Sequence, residues 1–213
     1  MAAIAGEPMS KSDSESWASY YRKTSARPPR ETLLFALDAF DAELGPDDRR
    51  LAVDLGCGNG RDTIELVRRG WHVLAIDAEQ AAIDALTARK DLPEGARIDT
   101  LAARFEAVEL PECDLVNSGF ALPLVAPANF PDLWDGMLGA LRPGGRISCQ
   151  LYGDRDSWVG DPSITFFSRP AIDALLNPLD VEYFREEEDD STTPRGKPKH
   201  WHVFHIVAKL PAG

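Results

Sequence analysis

The run Leu51-Ala-Val-Asp-Leu-Gly-Cys-Gly-Asn-Gly60 holds three glycines and a buried-strand acid within ten positions. Glycines at this density let a backbone turn sharply and come within contact distance of a ligand. A second acid, Asp77, ends the apolar run His72-Val-Leu-Ala-Ile76, about twenty positions after the first glycine. An acid at that place suits the two hydroxyls of a ribose. Other residues with chemistry to offer are His200, His202 and His205 near the C-terminus and Arg155 in Gly153-Asp-Arg-Asp-Ser-Trp158. In a strand, His200 and His202 share a face and His205 lies opposite, so they make no preformed metal site. One of them could still act as a general base.

These residues need elements to hold them. Leu51 to Leu55 reads as a buried parallel strand. A helical pattern begins at Asp62, Gly70 sits at its stop, and the second strand ends on Asp77. Further along, 79–90 reads as a helix, 97–102 as a weak third strand and 113–116 as the fourth. A helix over 130–141, a fifth strand over 146–152 and a short helix over 170–176 follow. Two last strands, 181–185 and 201–209, flank a charged segment, 186–199, that reads as an exposed loop. Alternating strands and helices imply an α/β fold, a mostly parallel sheet covered on both faces. Two strands with no helix between them imply an antiparallel edge. A polar tail is expected over 1–12, then one domain over 13–213: a helical cap over 13–45 and a core over 47–210.

Composition narrows the function. Hydrophobic residues make up 44% and charged residues 27%, as in ordinary globular proteins. A net charge of −12 argues against nucleic-acid and anionic-membrane partners, which need basic patches. No run approaches the roughly 18 apolar residues of a membrane span, and no signal peptide is visible, so the cytoplasm is the expected compartment. Cys57, Cys113 and Cys149 fit neither a zinc site nor a disulfide framework and read as core thiols.

The spacing G-x-G-x-G, preceded by Asp54 inside the strand, resembles the class I methyltransferases that bind S-adenosylmethionine (SAM). Dinucleotide enzymes use G-x-G-x-x-G, and a buried acid facing a pyrophosphate would be costly. SAM carries no phosphate, and its ammonium would be drawn to Asp54, directly or through water. The resemblance implies a Rossmann-like seven-stranded sheet of order 3-2-1-4-5-7-6 with an antiparallel last strand. It places the amino-acid end of SAM at Gly56, Cys57, Gly58 and Gly60, the ribose at Asp77 and the adenine edge at Ala78. Phe105 suits adenine stacking. The family's usual acid falls on Arg104, a departure that leaves Glu106 or backbone to meet the adenine amine. Asn117 lies at the exit of the fourth strand, where methyl and acceptor meet. Asn117-Ser-Gly-Phe120 lacks the prolines of amino-methylating nucleic-acid enzymes.

A looser resemblance reaches the small tellurite-resistance and thiopurine methyltransferases. It implies that Tyr20 and Tyr21, before the first strand, close over SAM, where aromatic faces suit a sulfonium. The expectation is a SAM-dependent methyltransferase acting on a small molecule, with Phe120 and Leu122 near the methyl and Arg155 and His200 orienting or deprotonating the acceptor. A non-catalytic SAM-binding regulator or assembly protein, and a nucleotide-dependent oxidoreductase, remain as competing readings.

Overall fold

The computed structural model describes residues 27–44, 50–193 and 196–212. The expected polar tail and the segment with Tyr20 and Tyr21 lie outside these residues. Helix α1 (Glu31–Leu44) precedes β1 (Leu51–Leu55), α2 (Thr63–Arg68), β2 (His72–Asp77), α3 (Gln80–Thr87) and β3 (Arg97–Ala102). Then come β4 (Cys113–Ser118), α4 (Phe130–Ala140), β5 (Leu141–Gly153), β6 (Phe166–Phe167), α5 (Arg169–Leu176), β7 (Asp180–Thr192) and β8 (Pro198–Lys209). Short 3-10 turns cover Phe105–Ala107 and Leu122–Leu124.

The sheet order is β3-β2-β1-β4-β5-β8-β7, with the two-residue β6 added beside β5. The expected order survives with that one extra strand. Strands β1 to β5 pair in parallel, and β8 runs antiparallel between β5 and β7. Parallel central strands are buried on both faces, which is why β1 and β4 read as apolar runs. Two cores result. Val53, Leu55, Val116, Ile147 and Phe204 pack under α4 and α5. Ala52, Val73, Ala75 and Leu115 pack under Leu33, Leu37 and Phe40 of α1, with Leu66, Ile83 and Leu86 of α2 and α3.

The charged segment 186–199 differs from expectation. Most of it is strand: β7 continues to Thr192 and β8 begins at Pro198, and the two form a ribbon with Glu188 opposite His202 and Asp190 opposite His200. β8 meets β5 only from Val203 onward, so the ribbon projects past the sheet. Cross-strand pairing of opposite charges stabilises strands that lack apolar residues.

Arg146 joins the edge strands to α1. Its guanidinium donates to Glu182 (2.6 and 2.9 Å) and Glu43 (2.7 Å) and lies 4.4 Å over the Phe40 ring. Its side chain is wholly buried, while both glutamates stay partly exposed. Arg146→Met should therefore lower unfolding free energy by about 2 kcal/mol, below the cost of breaking a fully buried pair. Urea denaturation checks this, and an unchanged midpoint would show that the network adds no stability.

Candidate cofactor and acceptor site

The carboxyl ends of β1, β2 and β4 open onto a cavity of about 940 Å³. Ligands in open α/β sheets bind at this place, where strand order reverses on either side of β1. The glycine turn forms one end. Gly56 has φ +71° and Gly58 φ +56°. A Cβ on Gly56 would stand 2.3 Å from that of Ala121, so no larger residue fits. Gly56 and Cys57 donate their N–H groups to the Ile76 carbonyl (2.8 and 3.0 Å). Gly58 N–H donates to Asp77 Oδ2 (2.8 Å), and Glu79 N–H donates to Asp77 Oδ1 (2.9 Å). Asp77 is 4% exposed and lines the cavity. Its carboxylate is thus aimed by two backbone donors.

Asp54 sits behind this wall and is 2% exposed. Thr63 Oγ1 donates to its Oδ2 (2.6 Å) and Asn117 Nδ2 to its Oδ1 (2.9 Å). Asn117 also reaches Asp62 Oδ2 at 3.5 Å. Arg30 N–H donates to Asp62 Oδ1 (3.0 Å), and its Nε lies 3.7 Å from Asp62 Oδ2. That Nε is buried with no hydrogen-bond partner among the described residues. The guanidinium carbon lies 4.5 Å over the Phe120 ring. Burial above all, then the charge of Asp62, raises the Asp54 carboxyl to about 7.

Of the residues singled out in the sequence, Gly56, Asp77, Ala78, Phe105 and Glu106 line the cavity together. Asp54, Cys57, Gly58, Gly60 and Asn117 are buried behind them and do not line it. Arg104 also lines it, and its Nε donates to Glu106 (2.7 Å). The basic residue at the position of the family's acid is therefore paired with a carboxylate two residues on. Burial pushes the Cys113 and Cys149 thiols up to about 12, and raises the Cys57 thiol well above its ordinary value, as inert core thiols require.

Arg155 and His200 do not line the cavity, which corrects their expected place. Both sit on the ribbon's other face. Arg155 donates to Glu186 (2.9 Å) and Glu188 (2.9–3.1 Å), and His200 meets Asp190 (2.8 Å) and Glu188 (3.1 Å). Acidic residues alternating along β7 draw these cations outward. His205 projects to the opposite face, as its spacing implies, with its ring 6.0 Å from that of Phe120.

The far end of the cavity is aromatic. Phe120, Tyr152, Trp158 and Trp201 line it, with Leu124, Val125, Ile164 and Val203. Phe120 packs on Tyr152 and Trp201 with centroids 6.1 and 6.4 Å apart. Its backbone is left-handed, φ 61°, unusual for a residue with a side chain. Arg30 and Asp62 carried no sequence signal, because their roles arise only when the α1 and α2 starts meet.

Residues 52–145 match the methyltransferase domain family. An uncharacterized methyltransferase of Synechocystis is 29% identical over 115 residues, 54% of this chain and 53% of that protein. One of Schizosaccharomyces pombe is 29% identical over 143 residues, 64% of this chain and 54% of that protein. The matches thus span about half the length of these relatives. Among solved structures, TehB from Haemophilus influenzae has a TM-score of 0.72 at 17% identity, covering 90% of this chain and 65% of that one. Magnesium protoporphyrin IX methyltransferase from Synechocystis, with bound S-adenosylhomocysteine, has a TM-score of 0.67 at 12% identity, covering 92% and 94%. Phosphoethanolamine N-methyltransferase 2 of Haemonchus contortus, in complex with phosphomonomethylethanolamine and S-adenosylhomocysteine, scores 0.64 at 15% identity, covering 93% and 57%. The fold is the Rossmann-like class I methyltransferase fold, and residues 52–145 are similar to methyltransferase domains.

Two outcomes follow from this geometry. Asp77→Ala should weaken SAM binding by roughly 1.5–3 kcal/mol, the scale of a charged hydrogen bond. Calorimetry with unchanged affinity and an intact circular dichroism spectrum would reject the ribose role. Asp54 has a folded-state pKa raised from 3.8 to about 7, so the folded chain holds its proton more tightly than the unfolded chain. Stability should fall as pH rises between those values. Asp54→Asn should flatten that fall in urea denaturation at pH 4, 5.5 and 7.5, and an unaltered slope would reject the assignment.

Proposed function

We propose that this protein transfers the methyl group of SAM to a small-molecule acceptor. The observation that carries the reading is one continuous cavity with the aimed Asp77 carboxylate at one end and an aromatic chamber at the other. Its volume falls within the roughly 300–1,000 Å³ of small-molecule sites.

The residues present fit the cofactor. Asp77 would accept from both ribose hydroxyls, and Ala78 and Phe105 would flank adenine. Gly56 would let the methionine part lie against the backbone. Arg30 would meet the carboxylate of that part through a buried N–H with no partner among the described residues, while Asp62 and Asp54 would serve the ammonium. SAM supplies an electrophilic methyl carbon on a sulfonium. An acceptor lone pair forms the new bond, the carbon–sulfur bond breaks, and its electron pair stays on sulfur as S-adenosylhomocysteine. Orientation alone can contribute about 7–11 kcal/mol to such a displacement. No triad is needed, and Arg155 and His200 are given no proton to move because they stand outside the cavity.

The net charge of −12 supports an acceptor other than a nucleic acid. No described helix is long and apolar enough to cross a membrane. A cytoplasmic site of action is part of the proposal. The Synechocystis and Haemonchus enzymes named above act on small molecules, which supports the same acceptor class.

A screen of phenols, thiols, amines and halides for release of S-adenosylhomocysteine tests the reading. At least one acceptor should release it, and Asp77→Ala should lower that release at limiting SAM. SAM binding without release from any acceptor would favour the non-catalytic SAM-binding alternative.

A further inference from the structure

Three rings at the aromatic end, Tyr152, Trp158 and Trp201, converge as the walls of a cage. Cages of this kind bind quaternary and other ammonium groups in many proteins. Here the protein supplies the ammonium. Lys199 Nζ lies 3.7 Å from the Trp158 ring centroid, 4.4 Å from that of Trp201 and 5.4 Å from that of Tyr152. The rings line the cavity, and Lys199 does not.

The ammonium is locked in place. It pairs with Asp156, and both side chains have no exposure. Asp156 Oδ1 also accepts from Trp158 N–H (2.9 Å), and Oδ2 accepts from His202 N–H (3.3 Å). The ion pair therefore fixes the loop after β5 against β8. Phe120, the fourth ring, already carries a cation of its own, the Arg30 guanidinium. Each of these rings thus already has one face turned to a cation that the chain provides.

The nearby carboxylates do not restore a cation site. Asp161 Oδ1 accepts from Ser163 N–H (2.9 Å) and Oγ (2.6 Å). Glu187 is paired with Arg185 and lies 3.1 Å from His205 Nε2. The rest of this end is ring surface with Leu124, Val125, Ile164 and Val203, edged by Ser163, Thr192 and the cationic Lys197.

We infer that the acceptor is an uncharged aromatic molecule, and that Lys199 excludes cationic acceptors by filling the cage that would otherwise hold one. This rests on the acceptor-chamber reading above and sharpens it. A flat neutral ring can stack on the cavity-lining surface of Trp158 and Trp201 without bringing a charge towards Lys199. A cation of the same shape meets Lys199 and Arg30 across a single ring thickness.

The full chain should be titrated with 4-tert-butylphenol and its isosteric cation, (4-hydroxyphenyl)trimethylammonium, following tryptophan fluorescence and heat. The neutral probe should bind at least about ten-fold more tightly, and Trp158→Leu should weaken it. Equal affinities, or preference for the cation, overturn the inference. The double variant Lys199→Met/Asp156→Asn removes both buried charges at nearly constant volume. It should narrow the gap to under about three-fold through gained cation binding, whereas a merely structural role would shift both probes alike. An unchanged gap in the folded variant overturns the role of Lys199. Should the variant not fold, the wild-type comparison still decides the acceptor class. Neither titration needs cofactor, and a parallel titration with S-adenosylhomocysteine separates the two readings. Failure to bind it with the gap intact counts against methyl transfer alone. Normal binding with no gap counts against the acceptor class alone.

Discussion

A buried carboxylate at the end of β1 organises the ligand-binding end of this molecule. Asp54 has no solvent to satisfy it, so its neighbours must. Thr63 supplies a donor from α2 and Asn117 supplies one from β4. Asn117 also reaches Asp62, and Asp62 in turn holds Arg30 ahead of α1. Four separate stretches of chain are thereby brought to one point, each by a hydrogen bond that would be costly to leave unmade in a buried place. Asp77 performs the matching task one strand away by holding the N–H groups of Gly58 and Glu79. The glycine turn has little freedom between these two anchors, and the cavity floor is set before any ligand arrives.

The acceptor chamber has a different origin. Its walls come from the exit of β4, the loop after β5 and the ribbon of β7 and β8. The ribbon is stabilised largely by charge. Glu186 and Glu188 hold Arg155, His202 and His200 there, and alternation leaves Glu187, Trp201 and Val203 for the cavity side. Period-two geometry thus divides one polar sequence into a scaffold and a wall.

That division explains what could be read from the chain beforehand. The strand, turn, helix and strand around Asp77 were legible because glycine spacing, apolar runs and a terminal acid are local signals. Phe105 and Glu106 were singled out through the resemblance alone, and both line the cavity. The ribbon was not. Glu186 to Asp190 has the composition of a solvated loop, and only cross-strand partners some ten to twenty residues away make it a strand. Arg155 and His200 were misplaced as a consequence, since chemistry-bearing residues beside a presumed loop looked available. Lys199 carried no signal at all. A lysine becomes a cage occupant only when three rings from distant segments meet around it.

Phe120 carries an implication for how the protein could change over time. A side chain at φ 61° costs the backbone about 1–2 kcal/mol relative to a residue at ease there. Glycine at position 120 would recover that energy, yet it would delete the ring that closes the chamber against Tyr152 and Trp201. Thermal robustness and a closed chamber therefore pull in opposite directions at one codon. Descendants freed from their present acceptor have a route through this one residue to a sturdier fold with a wider opening, and from there to acceptors of another shape.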